Sequence, residues 1–179
     1  AAKALTEIGY RQAYELNRAQ QRRYLRSGYE LPFHAEHAAN VLEIQWQILP
    51  RFYAVRFDVE KLFERAIQIS LGTRTVSTLC HEDLLLVLCV QAGKHAWTRL
   101  SWLADVIQLI ESKAINWEQV EREVDRMHVR RIVAVTFLLA QQLLDCQLPE
   151  AAGRFKADRQ SQRVVDEVVA NISRDEDAG

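Results

Sequence analysis

This sequence has little that bends, staples or punctuates a chain. Six glycines and three prolines among 179 residues exclude collagenous and low-complexity character and favour helices joined by short connections. Three cysteines, Cys80, Cys89 and Cys146, are widely spaced and contain no Cys-x-x-Cys; an odd, scattered set reads as reduced thiols in a cytoplasmic protein, not as a disulfide framework. Excess charge of one sign is also missing. The formal net charge is −1, so no global field draws in nucleic acid or an anionic membrane. The longest apolar run, Leu84 to Val90, falls far short of the roughly 20 residues that span a bilayer. No secretory signal, nucleophile elbow, P-loop or dinucleotide fingerprint is present. What remains is a balance of 49% hydrophobic and 26% charged residues, that of a globular chain able to bury a core.

Hydrophobic period divides the chain into two styles. Residues 1 to 8 read as the end of a helix closed by Gly9, and a chain that begins inside a helix is expected to lack something upstream. Arg22 to Arg26 reads as a short strand turned by Ser27-Gly28. Val41 to Ile48 alternates strictly, with Leu42, Ile44, Trp46 and Ile48 on one face and Val41, Glu43, Gln45 and Gln47 on the other; Pro50 ends it, and Arg22 to Arg26 is its expected antiparallel partner. Asp58 is placed to cap a helix with Val59, Leu62, Phe63 and Ala66 on one face. Ile67 to Leu71 alternates up to Gly72, and residues 73 to 79 continue as a hairpin arm.

From Cys80 the period is helical. His81-Glu82-Asp83 opens a helix carrying Leu84, Leu85, Leu88 and Cys89. Trp97, Leu100, Leu103, Ala104, Ile107 and Ile110 mark a second buried stripe. Asn116 caps a third helix lined by Trp117, Val120 and Val124. Residues 129 to 145 are apolar nearly all round, as in a central helix, and Leu148-Pro149 breaks it. A last amphipathic helix runs from Arg159 to Ile172, with Asp175 to Gly179 as a frayed tail. The expected class is α+β, mostly α: a partial small sheet over residues 1–79, then a helical bundle over 80–179.

A few side chains carry chemistry. Glu43 is a lone acid on a strand face. It is either one ligand of a metal that needs further carboxylates or an ordinary solvated residue. Lys94, His95 and Arg99 gather in six residues; on one continuous helix His95 and Arg99 share a face with Trp102 beyond. That face is either a cationic surface for phosphate or a solvated face with the histidine packed on Trp102. Asp105 falls inside an apolar stripe, where a buried acid needs a partner such as Arg99 or Lys94. His34, His37, His81 and Cys80 match no zinc spacing. The acids Glu118, Glu121, Glu123 and Asp125 share a helix with Arg122 and Arg126 and read as a salt-bridged face; Arg126, Arg130 and Arg131 lack the interleaved aromatics of a nucleic-acid surface.

Taken in order, Gly9-Tyr10, Glu43-Ile44-Gln45-Trp46, Leu79 to Leu88, Gly93 to Leu100, Trp102 to Asp105 and Asn116-Trp117 resemble the uncharacterised nucleotidyltransferase family of the polymerase-β-like superfamily, over residues 1 to about 150. That family reads Asp-Leu-His-Trp where this chain has Glu43 to Trp46. It also carries a Lys-His-x-Trp-x-x-Leu segment leading to an aspartate, matched by Lys94, His95, Trp97, Leu100 and Asp105. The resemblance implies transfer of a nucleotidyl group from an NTP to an acceptor hydroxyl with Mg²⁺ or Mn²⁺. Glu43 would be the third metal carboxylate, and Lys94, His95 and Arg99 would face the triphosphate or the acceptor. The Gly-Ser turn and paired acids that usually accompany such a carboxylate are absent. The only Asp-x-Asp, Asp175 to Asp177, lies in the tail, and Gln45 replaces the histidine. This chain alone is therefore expected not to catalyse transfer, and sheet edges left by missing strands would promote pairing between copies. The competing expectation is a non-catalytic helical module that binds a partner protein. Near-neutral charge speaks against a nucleic-acid-binding bundle.

Overall fold

A computed structural model describes residues 2–35 and 39–176, with the side chains of Ser173, Asp175 and Glu176 left aside. It divides into two compact units, Ala1–Glu60 and Lys61–Gly179. Among the described residues there are eight α-helices and two small antiparallel sheets, an α+β fold that is mostly α.

The first unit opens with α1 (Ala2–Glu7), which ends at Gly9, where a φ of 85° suits glycine and the Gly9 N–H reaches the Thr6 carbonyl at 3.2 Å. Strand β1 (Tyr10–Gln12) follows, then α2 (Arg18–Ser27), β2 (Glu30–Ala35) and β3 (Val41–Gln45). The sheet order is β1-β2-β3, antiparallel throughout, with Phe33 opposite Leu42 and Leu31 opposite Ile44. Leu31 and Phe33 are buried and Leu42 and Ile44 half-buried, while Val41, Glu43 and Gln45 are exposed, so the alternation of β3 is realised.

Two expectations fail here. Arg22 to Arg26 is helix, not strand, and the partner of β3 is β2. The Asn17 side chain accepts from the Ala19 and Gln20 N–H groups, both at 3.0 Å, and the Gln20 side chain accepts from the Asn17 N–H at 2.9 Å. This reciprocal cap satisfies donors that a strand would have had to pair elsewhere. The β3 ladder also stops at Gln45, before Pro50, because the N–H groups of Trp46 and Gln47 both turn onto the Tyr29 carbonyl. Trp46 then seals the sheet end, donating its indole N–H to the Gly28 carbonyl at 3.0 Å and meeting Tyr24 edge-on at 6.3 Å. A Cβ on Gly28 would lie 2.9 Å from the Tyr24 carbonyl oxygen, which explains the glycine.

The boundary between units falls within α3 (Val59–Glu64). Leu62 is buried as expected, but Phe63 is 76% exposed, since so short a helix has one covered side. In the second unit, β4 (Ile67–Leu71) and β5 (Arg74–Thr78) form the expected hairpin around Gly72-Thr73, with Gly72 at φ 61°. Then come α4 (His81–Lys94), α5 (Leu100–Ser112), α6 (Trp117–Met127), α7 (Arg130–Leu144), a 3-10 turn (Glu150–Arg154) and α8 (Arg159–Glu176).

Helix α7 is central: Val133, Ala134, Val135, Thr136, Phe137, Leu139 and Ala140 are all buried, and α4, α5, α6 and α8 pack against it. The covered faces of its neighbours differ in detail from the expected stripes. On α4 the buried apolar residues are Leu85, Leu86, Cys89, Val90 and Ala92, with Leu84 and Leu88 only half-buried; on α5 they are Leu103, Val106, Leu109 and Ile110, with Leu100 and Ala104 exposed. The backbone of α8 continues through Glu176, past the expected end at Ile172; residues 177–179 lie outside the described residues. Among the described residues, no helix is long and apolar enough to cross a membrane.

Candidate functional site

In the first unit, β3 holds Glu43 rigidly on the outer face of the sheet, opposite Pro32 of β2. The neighbouring pair on that face is Glu30 and Gln45, and the Gln45 amide donates to Glu30 at 3.0 Å and to Glu43 at 3.4 Å. Two carboxylates are thus tied by one amide. Beside them the Tyr29 phenol is pushed up to about 12, by burial first, then by its hydrogen bond to Glu30 and the negative charge of Glu30 and Glu43. Sequence reading missed Glu30. Its signal was the alternation of Leu31 and Phe33, which puts Glu30 on the opposite face from them. Glu43 is exposed, and it does not line the cavity of about 210 Å³ formed by Gln47, Leu49, Pro50, Arg51, Val55, Arg56 and Phe57.

In the second unit, Lys94, His95 and Arg99 are not on one helix. Lys94 ends α4, His95 caps it and Arg99 stands just before α5. The connection is tight. Ala96 and Trp97 both take positive φ, 52° and 51°, a conformation that disfavours a bulky side chain. Burial of Trp97 holds it there. Its N–H reaches the Ala92 carbonyl at 2.8 Å, and its indole N–H donates to Thr136 Oγ1 at 2.8 Å inside the core. Thr136 in turn donates to the Ile132 carbonyl at 2.8 Å.

The connection still gathers the cations by another route. The His95 ring lies 4.9 Å from that of Trp102, and the Arg99 guanidinium carbon sits 5.7 Å from the Trp102 ring. The packing of the histidine on Trp102 is therefore present, and the exposed Arg99 guanidinium shares the same ring. Asp105 is exposed, not buried: α5 turns Leu103 and Val106 inward and leaves Asp105 in water, so no buried partner is required.

The buried acid is instead Asp83, which sequence reading passed over as a helix-opening residue. It is 1% exposed and accepts from Nε and Nη2 of Arg65, at 2.8 and 2.7 Å. The Cys80 thiol donates to it at 3.1 Å and is pushed up to about 11, chiefly by burial. Arg65 is held above its usual range, first by the hydrogen bonds to Asp83. Arg65 also reaches Glu123 of α6 at 3.7 Å, so this buried, bidentate pair is a structural fastener between elements. Cys89, buried beside Thr136, is pushed up to about 12 by burial, and all three cysteines are free. The α6 face is salt-bridged as expected, with Arg126 on Glu123 at 2.7 Å; Arg130 and Arg131 are paired too, with Asp125 and Asp158. Among the described residues, no three His, Cys, Asp or Glu side chains gather to hold a metal; His37 lies outside them.

A family model described as an uncharacterised nucleotidyltransferase matches residues 1–145, from α1 to the end of α7. The chain belongs to that uncharacterised nucleotidyltransferase family. No curated protein and no solved structure matches it.

Proposed function

We propose that this chain supplies part of the machinery of a metal-dependent nucleotidyl transfer from an NTP to an acceptor hydroxyl, and that it does not catalyse the reaction alone. The observation that carries the reading is the position of Glu43: a carboxylate aimed outward from β3, whose far edge is unpaired among the described residues. A further strand added to that edge would bring donors beside Glu43 without disturbing β2.

Divalent ions of the magnesium class need several hard oxygen ligands in near-octahedral array. Glu43 and Glu30 are of the right chemistry, but they are too few, so the described residues alone do not fit the ion. The role of Glu43 here is limited to holding one negative oxygen pair on a rigid strand. Lys94, His95 and Arg99 would meet anionic substrate, Arg99 through its forked donors and His95 through a ring steadied by Trp102. The free thiols suit a reducing, cytoplasmic setting.

The test is transfer from labelled NTP with Mg²⁺ or Mn²⁺, by this chain and by the product of the full reading frame that encodes it. The chain alone should show no turnover. In the active product, Glu43→Gln should lower the rate by about 100-fold or more, the scale on which a lost charge-stabilising group acts. Wild-type turnover by that variant would overturn the reading. The alternative, a partner-binding module, is favoured by Phe63 and by Leu71 of the hairpin, 76% and 69% exposed. Light scattering that shows self-association, lost in Leu71→Ser, would support that alternative.

A further inference from the structure

Between the α4–α5 connection and one flank of α8 lies a cavity of about 450 Å³. Its size is that of a small-molecule site, and so is its lining: mostly apolar surface with a few polar groups. Trp97 and Val168 are its buried walls, and Leu100, Val164 and Ile172 add apolar wall that is more open. Glu167 and Asn171 stand four residues apart on α8, so they share the flank that Val164 and Val168 present to the cavity. That flank lies beyond residue 145, where the family match ends, so the cavity stands apart from the transferase reading.

Two observations point to a ligand. The wall on the connection is strained: Ala96 and Trp97 hold positive φ one after the other, and non-glycine residues in that region gather where a fold shapes a binding site. The charge of the lining then selects the ligand. Glu167 is the only ionisable side chain among the lining residues, and among the described residues it forms no ion pair. Two neighbouring arginines do not line the cavity and are engaged elsewhere. Arg99 lies over the Trp102 ring at 5.7 Å, and Arg174 donates to the Ala170 carbonyl at 3.1 Å and to the Asn171 side chain. The Thr98 hydroxyl donates to the His95 carbonyl at 3.1 Å and keeps lone pairs for a ligand donor. A lone carboxylate and a hydroxyl beside an apolar recess disfavour a phosphate or carboxylate ligand and complement a cation with an apolar body.

We propose that this cavity binds a small organic amine, its apolar body against Trp97, Val168 and Leu100 and its ammonium group at Glu167. The test is an amide-resolved NMR titration of this chain with 2-phenylethylamine, its uncharged analogue 2-phenylethanol and the anion 3-phenylpropanoate. The amine should give saturable shifts at residues 96–100 and 164–172, in the millimolar range that so small a ligand supports. It should bind about fivefold tighter than the alcohol, the scale of one partly exposed ion pair, and about tenfold or more tighter than the anion. Glu167→Gln should bring the amine down to the affinity of the alcohol, whereas Asp166→Asn, beside it but outside the lining, should leave the preference unchanged. Val164→Phe, with unchanged circular dichroism, should fill the recess and weaken amine and alcohol together by about tenfold. Should that variant unfold, the Glu167→Gln comparison decides alone. Shifts confined to other residues, no saturation by about 20 mM amine, preference for the anion, or an unchanged amine affinity in Glu167→Gln would each overturn the proposal.

Discussion

In the first unit the arginines of α2 face water on a helix without a single carboxylate, whereas in the second Arg65, Arg126, Arg130 and Arg154 each close on an acid. The acids follow the same division. Glu43 and Glu30 stand on an outer sheet face held by one amide, while Asp83 is sealed beneath α4 by a bidentate guanidinium. Charge that is neutralised inside a fold serves the fold; charge left facing outward is available to a ligand. The second unit has the larger core and spends its ion pairs on its own helices. The first unit, with a three-stranded sheet, leaves the arginines of α2 facing water.

The largest way to break that comparison is to unpair the buried acid. Arg65→Met leaves Asp83 charged and enclosed with only the Cys80 thiol to meet it, and should lower stability by about 3 kcal/mol in urea unfolding. A loss below about 0.5 kcal/mol would mean the pair behaves like a surface bridge. Next is the α4–α5 connection. A Cβ on Gly93 would sit 3.0 Å from Ile132 Cγ2 and 3.2 Å from the Trp97 ring, so Gly93→Ala should cost about 1–2 kcal/mol and disturb the Trp97 fluorescence environment. In the first unit the corresponding test is smaller. Asn17→Ala removes the cap of α2 and should cost about 1 kcal/mol, read as faster amide exchange confined to residues 18–27.

How much of this was legible in sequence follows from which physics is local. The β3 alternation, the Gly72 hairpin and the apolar girdle of α7 are properties of short windows; the hairpin and the girdle appear as read, and the alternation holds as far as Gln45. Arg22 to Arg26 was misread although its capping signal, Asn17 with Gln20 three residues on, was present. A β-rich neighbourhood made a basic, mostly polar run look like a strand partner. The break at Ala96-Trp97 could not be read, because positive φ at a tryptophan is imposed by Thr136, 39 residues away. The same holds for Asp83, whose burial depends on Arg65 approaching from a different element. Asp105 shows the converse: it sits between apolar neighbours in sequence, yet the helix face that α4 and α7 select leaves it in water. For Glu43, the alternation of β3 was enough to give its face, because side chains in a strand alternate with period two.

The smallest effect tests the rule that the second unit's charges serve its own helices. Asp158 precedes α8 and accepts from the Ser161 N–H at 2.7 Å and its hydroxyl at 2.8 Å, with Arg131 at 3.3 Å. The Ser161 N–H, then the Ser161 hydroxyl and Arg131, hold its carboxyl below the usual range. A carboxyl whose folded pKa is depressed contributes stability above its unfolded value, and that contribution is lost as pH falls through the lower folded value. Helicity of α8 should therefore drop on acidification below about pH 4 more steeply in wild type than in Asp158→Asn, which keeps the cap acceptor but does not titrate. Asp158 is open to water, so the difference should be small, visible in amide exchange at the start of α8 before it is visible in global unfolding. Superimposable acid profiles for the two proteins would show that this charge, unlike that of Asp83, is not serving the fold.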